Sequence, residues 1–160
     1  MDLLDRLLDH DYWATGELLR VSGSLTDAQL DQPFDVGHQT VRATFGHMIY
    51  NPEFWAGLMI GQPEETQLER DYSLAALIDR HERSYMAFGR LARQLRDEDR
   101  LSDIFTDHYD VRKPIGGTIL MVVLHNTEHR TEIVHMLARL GVPGPIEVDI
   151  GLWDYLMLNP

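Results

Sequence analysis

His125 and His129 stand four residues apart in the run Leu124-His125-Asn126-Thr127-Glu128-His129-Arg130. On a helix that spacing stacks two imidazoles on one face, about one turn apart, within reach of a single metal ion. A wheel at ~100° per residue groups them with Thr118, Met121, Val122, Ile133, Met136 and Leu140, which directs them into a core. One inward histidine is more often a hydrogen-bonded core residue than a ligand. Two at this spacing, in an otherwise apolar stripe, favour a metal.

A zinc site needs at least one more ligand. His47 shares the side of its helix with Thr44, Asn51 and Leu58, beside an apolar stripe. His81 lies on the inner stripe of the next helix, between Leu77, Ile78 and Tyr85. Spacing does not choose between them. Glu132, within a turn of His129, suits a ligand, a base or an acceptor for an imidazole N–H. His135 projects away and is expected exposed, while His10, His38 and His108 sit at segment ends or in connectors and carry little weight. The zinc-protease helix motif is absent, because Asn126 stands where its general-base glutamate must follow the first histidine.

Four long amphipathic helices must carry these residues. The first spans about Leu3 to Val21, and a short helical turn follows over Ser24 to Leu30. The second starts near Gln39-Thr40 with Thr40 as N-cap, is expected to kink at Pro52, and ends at Gly61-Gln62-Pro63. The third opens at Ser73, with Leu74, Leu77, Ile78, Tyr85, Phe88 and Leu95 inward. Ile104, Phe105, Tyr109 and Val111 suggest a short hairpin before the fourth helix, which runs from about Gly117 to Leu140 and stops at Gly141. After Pro143 and Pro145, Val148 to Leu158 forms an apolar tail that suits one more helix. The pattern predicts an all-α four-helix bundle, one domain over residues 1–160, whose long connectors permit crossovers.

Composition narrows the chemistry. Twenty-six acidic residues against 14 basic ones give a formal charge of -12, a surface that repels nucleic acid and anionic lipid. There is no cysteine, which excludes disulfides, thiolate metal sites and a protein-borne thiol nucleophile. The N-terminus is acidic and the longest apolar run, Ile119 to Leu124, is far too short to span a bilayer. A cytoplasmic protein is expected.

The chain resembles the DinB/YfiT-like metalloenzyme family nearly end to end. The elements that carry the likeness are Tyr12-Trp13-Ala14 in the first helix, His47 followed by Glu53-Phe54-Trp55 in the second, and His125-x-x-x-His129-Arg130 in the last long helix with Leu140-Gly141 and Pro143 behind it. It departs at Pro52 and at Thr131-Glu132. The resemblance implies an up-up-down-down bundle, often a homodimer, with a divalent metal on His47, His125 and His129. It thereby sets His81 outside the ligand set, with Tyr85, Asn51 and Arg130 as pocket or supporting residues. Three imidazoles leave a coordination position open. Relatives that use low-molecular-weight thiols imply a thiol S-transferase acting on a small electrophilic substrate, with Arg130 suited to a thiol's carboxylate. The alternatives are hydrolysis by a metal-bound hydroxide with Glu132 as catalytic base, and a non-catalytic, metal-stabilised stress-response binding protein. Zinc is the expected metal and nickel the alternative.

Overall fold

The computed structural model describes residues 1–62, 71–144 and 146–159. Pro63 and Pro145, expected to punctuate two connectors, lie outside the described residues. Six helices appear in this order: α1 (Leu3–Ser22), α2 (Asp27–Leu30), α3 (Val41–Met59), α4 (Leu74–Asp97), α5 (Ile115–Arg139) and α6 (Ile150–Leu158). Strands β1 (Ile104–Thr106) and β2 (Arg112–Pro114) pair antiparallel between α4 and α5, with Phe105 opposite Lys113.

Local chemistry sets most helix ends. Asp2 and Asp5 form a reciprocal capping box on α1. The Thr40 hydroxyl accepts from Ala43 N at 3.0 Å to start α3, and Ser73 caps α4. Pro114 offers α5 no side-chain cap, so loop carbonyls take the orphan donors: Ile115 N donates to Asp103 O at 2.9 Å and Gly116 N to Leu101 O at 2.8 Å. That pairing starts α5 two residues before the expected Gly117. Gly141, at φ +77, supplies the left-handed residue that ends it. α3 runs uninterrupted through Pro52.

The four long helices form a ring in which α1 and α3 each pack against both α4 and α5. Two apolar clusters fill its ends. One contains Leu18 and Leu19 of α1, Phe45 of α3, Leu77 of α4 and Ile133 of α5. The other contains Leu8, Met59, Leu95 and Ile115 of the same helices. Reading each helix from its first cluster to its second gives α1 up, α3 down, α4 down, α5 up. The all-α bundle is as expected, but the up-up-down-down order is not. The two long connectors, 23–40 and 98–114, each join diagonal helices at one end of the bundle, so the neighbouring pairs α3/α4 and α1/α5 run parallel.

Between the clusters lies a polar layer. Asp11 and Thr15 of α1, Tyr85 of α4, and Asn126 and Arg130 of α5 are all buried. The Arg130 guanidinium pairs with Asp11 and donates to Thr15 Oγ1 at 3.3 Å and Thr127 Oγ1 at 2.7 Å. Asn126 Nδ2 donates to the Tyr85 hydroxyl at 2.8 Å. Glu53 of α3 accepts from Arg80 Nε at 2.9 Å and from Ser84 of α4. Arg80 Nη1 is buried without a hydrogen-bond partner among the described residues, but the bonds that are made fix one register of the four helices.

Some expectations fail at the surface. Ile78, placed on the inner stripe of α4, is 44 % exposed; Leu77, Tyr85, Phe88 and Leu95 of that stripe are buried as expected, and Arg80, His81 and Ser84 join them, with Arg80 and Ser84 turned toward Glu53. Tyr109 and Val111 lie in the turn of the hairpin rather than in its strands, and both are exposed. Among the described residues, no helix is long and apolar enough to cross a membrane.

Candidate metal centre

The mid-height of α5 faces α3 with its histidines. His47 Nε2 lies 2.8 Å from His125 Nε2, and His129 Nε2 lies 3.1 Å from the same atom. The three imidazoles foreseen as ligands thus meet. His129 is buried, as its place on the wheel predicts, while His125 and His47 are half-buried nearer the rim. The inward positions of this turn belong to Asn126 and Arg130, because α5 buries the face it presents to α1.

His129 Nδ1 donates to Glu132 Oε2 at 2.6 Å. That bond puts the ring proton on Nδ1 and turns the Nε2 lone pair toward His125. The two remaining contacts then join three Nε2 atoms, and one proton cannot satisfy both. A cation can, because it accepts every lone pair. Imidazole nitrogens around a tetrahedral zinc lie ~3.3 Å apart, from a Zn–N distance of ~2.0–2.1 Å, so small outward shifts adapt this donor set to a metal.

The connector before α3 adds a fourth ring. One ligand atom each from His38, His47 and His129 lies within 4.8 Å of the others, and these three can hold a metal ion. The His38 ring stacks on His47 with centroids 3.9 Å apart. Spacing carried no sign of His38, since it lies outside every helix; the only local hint was the neighbouring Gly37. Burial is the main cause holding down the basicity of His38, His47 and His125, with the charged forms of neighbouring histidines adding to it. For His47 the value falls to about 3. Neutral rings offer lone pairs, which is the state a ligand needs.

The remaining candidates fall elsewhere. His81 fills the seam between α1 and α4, where Nε2 is 3.1 Å from Tyr12 O and the ring stacks on Tyr12 at 5.0 Å. Tyr85 belongs to the polar layer, where burial pushes its hydroxyl far above the usual range and keeps it neutral. Asn51 Nδ2 donates to Asn126 Oδ1 at 3.2 Å, one residue from His125. Arg130 is committed to Asp11 on the α1 side, which removes it from the histidine face as a carboxylate anchor.

A cleft of about 390 Å³ opens beside the histidines, lined by His38, His47, Thr40, Arg42, Asp31 and Tyr72. A second, of about 380 Å³, is lined by His125, Glu128, Leu120 and Leu124 of α5. Arg42 is held by Asp27 and Asp31 and donates to Tyr72 O at 2.8 Å.

Residues 10–133 match the sequence profile of the DinB superfamily. The chain belongs to that superfamily. Among solved structures, a DinB-like protein from Bacillus cereus ATCC 10987 superposes with a TM-score of 0.64, covering 85% of this chain and 91% of that one at 22% identity. At that identity the likeness is one of fold. No curated protein matches.

For this DinB-superfamily chain, the low basicity of its histidines has a consequence for stability. In the metal-free protein His47 is lowered from 6.5 to about 3 and His81 to about 4, both chiefly by burial. Between those values and 6.5 the unfolded chain binds more protons than the folded one, so stability rises with pH across that window and falls as the medium is acidified below 6.5. The urea midpoint should therefore be lower at pH 5 than at pH 7.5. A flat profile would mean that both rings are well hydrated.

Proposed function

We propose that this chain is a metal-dependent S-transferase that joins a low-molecular-weight thiol to a small electrophile, with His47, His125 and His129 holding a divalent metal, zinc before nickel. The observation that carries the reading is the meeting of three imidazole Nε2 atoms at a point where one proton cannot satisfy them. A divalent cation on neutral imidazoles supplies undiminished positive charge, which favours a bound thiol as thiolate near neutral pH.

The chain's own residues do the rest. Glu132 holds His129 in the tautomer that leaves Nε2 unprotonated and is a positioning residue in this reading, not the base that a hydrolase would need. The clefts beside His47 and His125 are of a size that suits a small thiol and its acceptor. The thiol gives its proton to solvent water, its sulfur forms a bond to the electrophilic carbon, and the leaving group departs with the electron pair of the broken bond. The absence of cysteine fits a nucleophile that arrives with the cofactor. A homodimer and a cytoplasmic site of action belong to the same reading.

The test is to load purified protein with zinc or nickel, verify content by elemental analysis, and assay a generic electrophile with and without added bacillithiol, mycothiol or glutathione. Turnover only with thiol supports the transferase; turnover without thiol points to hydrolysis. Glu132→Ala should weaken metal binding by ~10–100-fold, the usual cost of losing a carboxylate behind a ligating imidazole. Glu132→Gln should lose less, because its amide oxygen can still accept from Nδ1. Equal affinity for Glu132→Ala and the parent in a chelator competition would make Glu132 a bystander.

A further inference from the structure

His38 is carried by a connector whose backbone is shaped to present it. Gly37 and Gln39, on either side, both adopt the left-handed region, at φ +55 and +70. For Gln39, which has a side chain, that conformation is uncommon and costs energy. The turn is held there by its own bonds: Gln39 N donates to Val36 O at 3.0 Å, Phe34 N to Gln39 O at 2.6 Å, and Thr40 N to His38 O at 2.9 Å. Thr40 then caps α3. Gly37 rests against the carboxylate that orients His129. A Cβ at Gly37 would lie 2.8 Å from Glu132 Cδ and closer still to Oε2, so a side chain there would push the carboxylate aside. Two left-handed residues and the close approach of Gly37 to Glu132 therefore deliver one exposed imidazole onto His47, with its ligand atom within 4.8 Å of those of His47 and His129.

We propose that His38 is a fourth imidazole ligand of the metal centre, borne on the connector and displaceable, which fills the position that His47, His125 and His129 leave open until an incoming ligand takes it. The proposal rests on the metal reading above and extends it. Two nitrogens on one zinc are at most ~4.2 Å apart, twice the Zn–N distance, and the 4.8 Å group of His38, His47 and His129 does not take in His125, so the exposed His38 side chain rotates toward His125 to complete the four. His38 also lines the cleft beside His47, so a ligand entering there meets His38 at the metal. Four neutral nitrogen donors make a closed site that resists adventitious ligands, and the exposed arm is the donor that leaves most easily.

The experiment uses the full chain stripped of metal and titrated with Co²⁺, whose visible absorption reports coordination, and with Zn²⁺ against a chromophoric chelator. Wild type, His38→Ala and His38→Gln are compared, with far-UV circular dichroism verifying that each is folded. The expected result is one Co²⁺ per chain in all three. The wild-type band should have tetrahedral intensity, while both variants show an altered band and ~10-fold or more weaker Zn²⁺ binding, the scale of removing a supporting group. 2-Mercaptoethanol should produce the sulfur-to-cobalt band at a lower concentration in the variants, because no imidazole competes. Identical spectra and affinities in all three proteins would overturn the role of His38 and leave the three-histidine site standing. Failure of the wild type to bind Co²⁺ would overturn both.

Discussion

Replacing His125 by alanine should yield folded protein that binds a divalent cation far more weakly, with only the looser group of His38, His47 and His129 left to hold it. His125 Nε2 is the atom that both other rings approach, at 2.8 Å from His47 and 3.1 Å from His129, so its loss removes the shared contact rather than one edge of the site. Losing a supporting carboxylate costs ~10–100-fold in affinity, and losing a ligand should exceed ~100-fold. Any metal-dependent gain in stability, ~2.7 kcal/mol for a cation at 100 times its dissociation constant, should shrink with the lost affinity. The bundle itself should survive, because His125 is half-buried at the rim and takes no part in either apolar cluster. Elemental analysis with thermal scans at several zinc concentrations decides the matter. Full occupancy with an unchanged zinc-dependent melting shift would remove His125 from the ligand set.

The second large effect lies deeper. Asp11→Ala should destabilise the fold by about 3–5 kcal/mol, the range for breaking a buried pair and stranding one charge. Both side chains are 3 % exposed. Without Asp11 the Arg130 guanidinium keeps only the Thr15 and Thr127 hydroxyls as acceptors, and neither carries charge. Removing both partners should be far milder: Asp11→Leu with Arg130→Met should recover most of the loss, since an apolar pair avoids the desolvation cost. Urea unfolding of the two single variants and the double variant measures this. A double variant no more stable than Asp11→Ala would mean that the layer's hydrogen bonds, rather than the charge pair, hold the centre of the bundle.

Much of the candidate site was legible because it is local. A helix turns ~100° per residue, so His125 and His129 share a face wherever α5 packs, and Glu132 must lie near His129. The caps at Thr40 and Ser73 and the stop at Gly141 follow from side-chain and backbone chemistry within a few residues. Ile78 shows where periodicity stops informing: a partner on α3, Glu53, draws Arg80 and Ser84 inward, and Ile78 is left exposed while Leu77, Tyr85, Phe88 and Leu95 stay buried. His38 carried little weight because a connector has no period to read, and its position depends on two left-handed residues and on a carboxylate more than ninety positions away.

By itself the amino-acid order determined the helices, the paired imidazoles, the lack of any protein thiol and the acidic surface, since each depends on composition or on neighbours within one or two turns. Tertiary structure alone decided that α3 and α4 run parallel, that His47 rather than His81 meets the pair, that Arg130 is spent on Asp11, and that His38 completes the cluster. Those outcomes depend on which helix faces meet across the bundle, a choice made by the packing of two apolar clusters and a polar layer drawn from all four long helices at once.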